Sequence, residues 1–186
     1  MALPVGLILV PVIFASDATH LTNFSGDGKL WPVYMSIGNI PSRIRQKATS
    51  HAWIPVVLLS VTPKRVHKKA GWSAAKQERE SLEITHVLLK FILGPISDTA
   101  ENGITARCED GVVRKCYIRV AAWLGDHMEN CTIHAIYNTR CGICECPTAE
   151  LGNHGHSNRR RDHKIYKQWV QEEDTEQLNA AGVKLV

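Results

Sequence analysis

Asp17 closes the apolar, β-branched run "VPVIFAS", and Asp126 closes a second run, "RVAAWLG". A carboxylate just past a strand stands at the rim of a sheet, where a side chain escapes the buried layer and can meet a ligand. Two such carboxylates brought together repel one another unless a divalent cation bridges them, and that arrangement serves two-metal phosphoryl transfer. The same residue in the same place also serves as a turn residue or a helix N-cap, so both roles stand open for Asp17 and Asp126. Asp27 in "SGDGK" and Asp110 in "CEDGV" lie in glycine-containing turns, and turn geometry accounts for each of them.

A second chemistry is written in "RCGICEC". Cys141 and Cys144 have the spacing that lets two thiolates bind one tetrahedral Zn²⁺, with Gly142 easing the turn. Two ligands do not make a site, and Cys146, His154, His156 and His163 are the nearest candidates to complete it. The alternative is a pair of surface or half-buried thiols without a metal. All six cysteines fall in the second half of the chain, and their clustering favours metal over disulfides. Cys108, Cys116 and Cys131 lie in or beside apolar runs and read as small core residues. No cysteine stands in a recognisable nucleophile setting.

The elements that must position these groups follow from hydrophobic pattern and breakers. Residues 5–16 read as a fully buried strand, 30–37 as its hairpin partner across a turn at Ser25-Gly26-Asp27-Gly28, and 52–61 as an edge or bulged strand because of Pro55. Residues 73–94 open on a Ser cap and read as a helix stopped by Gly94-Pro95. A hairpin turn at Glu109-Asp110-Gly111 precedes the run ending at Gly125-Asp126, "HMENCTIHAIYN" reads as a short helix, and the tail from Lys164 reads as one helix ending at Gly182. The expected order is three strands, a helix, a strand and a helix. With 186 residues the chain has room for one ordinary domain and a small appendage: 1–138 as the core, 139–163 as a Cys/His insertion and basic linker, and 164–186 as a terminal helix.

A net charge of +4, with 44% hydrophobic and 22% charged residues, fits a globular protein and permits nucleic acid as a partner without requiring it. Three basic segments, "SRIRQK", "PKRVHKK" and "RRRDHK", could touch phosphate, and the last has the composition of a nuclear import signal; each is also what a solvated loop looks like. Trp31, Trp53, Trp72 and Trp123 read as core anchors rather than base-stacking platforms. The apolar N-terminus lacks a basic leader and carries Pro4 and Pro11, which argues for a strand rather than a secretion signal. No run has the apolar length that crosses a membrane.

The stretch "LVPVIFASDATHLTNFSGDGKLWPVYMSIGNIPSRIRQKATSHA" resembles the Plavaka-type transposases of fungal genomes, a branch of the CACTA group of cut-and-paste DNA transposons. The likeness continues through "CEDGVVRKCYIRVAAWLGDHMENCTIHAIYNTRCGICECP" to the closing "LNAAGVKLV". The resemblance implies an RNase H-like α/β fold, a mixed sheet of three antiparallel strands, a helix and a parallel strand. It implies a DDE-type triad in which Asp17 is the first catalytic carboxylate and Asp126 the second, holding Mg²⁺ or Mn²⁺. It also implies DNA as substrate and the nucleus as location. Relatives are longer, so the third acidic residue is expected beyond Val186, and Glu172, Glu173 and Asp174 read as a solvated helix face. The expectation is a catalytic-domain remnant, inactive alone; the alternative is a non-catalytic DNA- or zinc-binding fragment.

Overall fold

The computed structural model describes residues 6–21, 29–59, 61, 73–152 and 159–186. The expected turn at Ser25–Gly28 with Asp27, the basic segment 63–69, Trp72, and His154 and His156 lie outside these residues. The chain divides into two compact units, residues 1–61 with 87–125, and residues 62–86 with 126–186.

The first unit is a mixed sheet. Strand β1 (Ile8–Ser16) pairs antiparallel with β3 (Lys29–Ile37), from Val12 opposite Ile37 to Ser16 opposite Val33. On its other side it pairs in parallel with β6 (Val113–Leu124), from Ile8 opposite Cys116 to Ala15 opposite Leu124. A two-residue strand β2 (Thr19–His20) continues against β3, and β4 (Ile54–Leu59) pairs with β3. The register slips between Val33 and Tyr34, where Pro55 faces Tyr34, so the bulge expected from the proline is present. Strand β5 (Ile104–Arg107) forms a hairpin with β6 across the Asp110-Gly111 turn, adding an antiparallel strand that the expected element order did not contain.

The side-chain pattern of β1 is half-buried rather than the fully buried strand expected. Val12, Phe14 and Ser16 are buried, whereas Ile13 and Ala15 between them are only partly covered. The two-residue alternation puts one set on the core face, and β-branching alone could not say how well the opposite face is covered. Phe14 is completely buried and meets the Trp123 ring at 5.0 Å, and Trp31 and Val33 from β3 are buried in the same unit. Gly38 donates its N–H to Pro11 O at 2.7 Å; a Cβ there would come 2.8 Å from the Pro11 ring, so this close approach requires glycine.

Helix α1 (Ser42–Arg45) is a single turn, and α2 (Ala74–Asn102) opens on Ser73, whose Oγ accepts from Lys76 N–H at 3.2 Å. The expected stop at Gly94-Pro95 does not occur. Pro95 removes only the bond to the Phe91 carbonyl, and Phe91 is 81% exposed, so water can satisfy that group. The helix stops instead at Gly103, whose φ of +67° is the left-handed cap.

The second unit contains residues Ala74–His86 of α2, helix α3 (His127–Ile133), and helices α4 (His163–Gln171) and α5 (Thr175–Ala181). Cys131, Ile136, Leu178, Ala181 and Val183 form its core, with Tyr166 and Trp169 packed against it. The tail expected as one helix is therefore two. Glu173 takes a φ of +52°, and Asp174 Oδ1 accepts from Gln177 N–H at 3.1 Å, because an aspartate caps a new helix better than it continues an old one. Gly182 ends α5 with a φ of +70°, at the expected residue. Among the described residues no helix is long and apolar enough to cross a membrane.

Candidate functional site

The parallel register sets the geometry of the carboxylate-bearing strands. Ala15 of β1 lies opposite Leu124 of β6, and each chain carries its aspartate two residues further on. Upstream, the pairing steps from Val12–Val120 to Ile13–Ala122, a bulge that resets the last turn of register before both strands end. Side chains then lock the ends: Trp123 Nε1 donates to Ser16 Oγ at 3.0 Å, beside the Phe14–Trp123 ring contact. Two strands thus finish level, tied by backbone pairing, by an aromatic contact and by a hydrogen bond.

Asp17 follows β1 immediately, is exposed, and its carboxylate has no hydrogen-bond or ion-pair partner among the described residues. Asp126 follows Gly125 and opens the second unit as the N-cap of α3, with Oδ1 accepting from Glu129 N–H at 2.7 Å. The capping role left open by its sequence is therefore real. A cap fixes one carboxylate oxygen and so orients the other, as hydrogen bonds behind a ligand commonly do.

Asp110 is fully occupied as a turn residue. It accepts from Val112 N–H at 3.1 Å and takes a two-pronged bond from Arg114 at 2.7 and 2.5 Å, and these hold its carboxyl down to about 2.

The cysteine turn is built differently. Ile143 N–H donates to Cys141 Sγ at 3.4 Å; this bond, and further ones from Cys144, pull the Cys141 thiol below its ordinary value. Amide donors on sulfur favour the thiolate, the form that binds metal. The strand-like pairing of residues 143–145 with 159–161 holds the turn: Arg161 N–H donates to Ile143 O at 3.0 Å and Glu145 N–H to Arg159 O at 2.9 Å. Cys146 is buried and makes its contact with Pro147 O, while His163 is exposed at the start of α4. Among the described residues no group of three or more His, Cys, Asp or Glu side chains is placed to hold a metal. Cys131, in the unit core, has its thiol pushed up by burial and serves as packing.

The residue the sequence hid is Arg161. Its run, "RRRDHK", reads as a solvated basic loop, yet Arg161 Nε donates to Cys141 O at 2.8 Å and Nη1 to Ala181 O at 2.9 Å, tying the cysteine turn to the end of α5. Asp162 beside it caps α4 through Lys164 N–H at 2.9 Å. The Asp162 cap was the available signal, since a cap inside a basic run marks where chain leaves solvent and enters structure.

A mixed sheet whose parallel strands end level, with exposed carboxylates just past them, is a scaffold on which phosphodiester chemistry can be mounted. The Plavaka transposase family model matches residues 2–186, and the chain belongs to that family. No curated protein matches the chain.

Proposed function

We propose that this transposase-family chain carries an RNase H-like centre for metal-dependent cleavage and joining of DNA, with Asp17 and Asp126 as its carboxylates. The observation that carries the reading is the parallel register of β1 and β6, Ala15 opposite Leu124, with an aspartate two residues beyond each of that pair. Central β1 flanked by antiparallel β3 and parallel β6, with α2 between β4 and β6 in the chain, is consistent with that fold; the β5 hairpin strand is an addition to it. Asp17, unpaired among the described residues, and Asp126, anchored at one oxygen, fit as ligands of a hard divalent cation. Bound Mg²⁺ or Mn²⁺ supplies the positive charge that activates an attacking oxygen and stabilises a leaving one. Asp17 and Asp126 would hold that charge at the sheet rim, and the α3 cap would keep the Asp126 carboxylate from turning away. With Asp17 and Asp126 as carboxylates of the centre, the expected reaction is nicking of DNA that depends on the divalent cation.

The test is supercoiled plasmid incubated with the protein in Mg²⁺ and in Mn²⁺, beside an Asp17→Asn, Asp126→Asn double variant. Cation-dependent nicking that the double variant lacks supports the reading. Equal nicking by both proteins, or none by either, overturns it and leaves the non-catalytic alternative. That alternative draws on one specific observation, the amide-to-sulfur bond at Cys141: Cys141 and Cys144 would supply two thiolates to Zn²⁺. Zinc measured at about one ion per chain, and lost in a Cys141→Ser, Cys144→Ser variant, would establish that site independently of any cleavage.

A further inference from the structure

The second unit contains a cavity of about 580 Å³, walled by residues of α2, the segment after α3, the cysteine turn and α4. Its size lies in the range of small-ligand sites. Its chemistry is one-sided. His86, His134, Arg161, His163 and Lys167 line it, and no Asp or Glu side chain does among the described lining residues. Lys184 also reaches the wall, but its charge is already matched by Glu78 Oε1 at 2.6 Å.

Arg161 is the fixed point. Two of its nitrogens are spent on the Cys141 and Ala181 carbonyls, and the third, Nη2, is buried with no hydrogen-bond partner. A buried guanidinium N–H without an acceptor costs stability unless something fills the place, and a bidentate or charge-assisted acceptor is what a guanidinium fits best. His134 feels the same surplus: desolvation, then the charges of Arg161 and His86, hold it below the ordinary imidazole value, although its surface is exposed. An anion would answer both Arg161 and His134 at once.

The rest of the lining includes apolar side chains. Ile136, Ile143, Val170 and Val183 are among them, with the Tyr166 ring, whose hydroxyl is committed to Glu145 Oε1 at 2.7 Å and whose face lies 5.8 Å from the Arg161 guanidinium. Cationic and imidazole groups lining the same cavity as apolar side chains and an aromatic ring suit a phosphate joined to a planar, weakly polar group.

We propose that this cavity is a binding site for a nucleoside 5′-phosphate unit, free or within a nucleic-acid strand, with Arg161 taking the phosphate and the Tyr166 ring taking the base. The site goes beyond the strand-end centre and shares no residue with it, so either can fail alone.

The test is titration of the full chain, with ring and backbone NMR signals followed, using four probes: inorganic phosphate, deoxyadenosine, deoxyadenosine 5′-monophosphate and a short single-stranded oligonucleotide. The monophosphate should shift the His134, His163 and Ile143 signals, bind more tightly than phosphate or nucleoside alone, and weaken with added salt. A tighter oligonucleotide at the same residues assigns the unit to a strand; a monophosphate that competes equally assigns it to a free nucleotide. Arg161→Gln should weaken binding roughly tenfold, the loss of one charge-assisted pair. His163→Gln with Lys167→Gln leaves both Arg161 carbonyl bonds in place and should still weaken it severalfold. The Asp17→Asn, Asp126→Asn variant should bind unchanged. Deoxyadenosine binding as well as its phosphate, shifts confined to other residues, or full binding by the His163, Lys167 double variant would overturn the proposal.

Discussion

The end of the β1–β6 pair and the cysteine turn both present reactive side chains, and they are held by opposite means. At the strand ends the backbone does the placing: eight paired positions run from Ile8–Cys116 to Ala15–Leu124, and the ring and hydroxyl contacts at Phe14, Trp123 and Ser16 only trim the result. At the cysteine turn the ladder shrinks to a single bridge, Cys144 with Arg160, and one guanidinium reaches across to two carbonyls. A site built on a ladder inherits the cooperativity of the sheet. A site built on one long side chain depends on that side chain.

That contrast can be broken by substitution, and the largest effect is expected in the strand unit's core. Phe14→Ala removes a completely buried ring in tilted contact with Trp123 and should cost about 3–5 kcal/mol in denaturant unfolding. A cost near that of a surface change would mean that the ladder does not rest on this core. Arg161→Ala should come next, at about 1.5–3 kcal/mol, because each lost bond involves a charged donor and leaves a carbonyl to be satisfied by water. Hydrogen exchange should quicken first at Glu145 and Arg161 N–H, the amides of the bridge. Unchanged exchange there would show that the turn is held by something other than the guanidinium.

Asp126 sharpens the comparison because it faces both ways. Asp126→Ala removes the α3 cap and should cost about 1 kcal/mol, whereas Asp126→Asn retains a good cap and should cost little. If Asn destabilises as much as Ala, the carboxylate charge itself supports the fold.

The smallest effect is at the β5–β6 turn. Asp110 is held from 3.8 down to about 2 by Arg114 and Val112 N–H, so a lowered folded value favours the native hairpin above the unfolded value of 3.8. That contribution is complete above about pH 4 and is lost as pH falls through 2. Following the Asp110 carboxyl carbon by NMR should show a midpoint near 2, and Arg114→Gln should move it upward; a midpoint near 3.8 in both proteins would show the pair to be idle.

How legible all this was in the sequence follows from the same contrast. Ladder-built parts were readable, since alternation, Pro55, Asp110-Gly111 and Gly182 are local signals: β1, β3, β4 and the β6 end fell close to where pattern put them. The long continuation of α2 past Pro95 was not, because proline's local cost does not reveal that the turn is open to water. Neither was the break at Glu173, where a capping aspartate hides in an acidic run; the hairpin turn at Glu109-Asp110-Gly111 was read, but its four-residue first arm, β5, was left out of the expected strand order. For the site, the strand-then-aspartate pattern at Asp17 and Asp126 was visible, but the α3 cap could be read only as one option. Arg161 was only half visible: the Asp162 cap marks where the basic run enters structure, but nothing local says which of the three arginines crosses to a distant carbonyl.

Asp17 and Asp126 are proposed to serve one metal. The direct measurement is Mn²⁺ titration of the isotope-labelled chain, following paramagnetic broadening of backbone amides, with Asp17→Asn and Asp126→Asn examined separately. At substoichiometric Mn²⁺ the amides around Ser16 to Ala18 and Gly125 to His127 should broaden together, and either substitution should abolish the effect at both stretches. Broadening at one stretch alone, or broadening that survives at Asp126 when Asp17 is replaced, would contradict a shared centre.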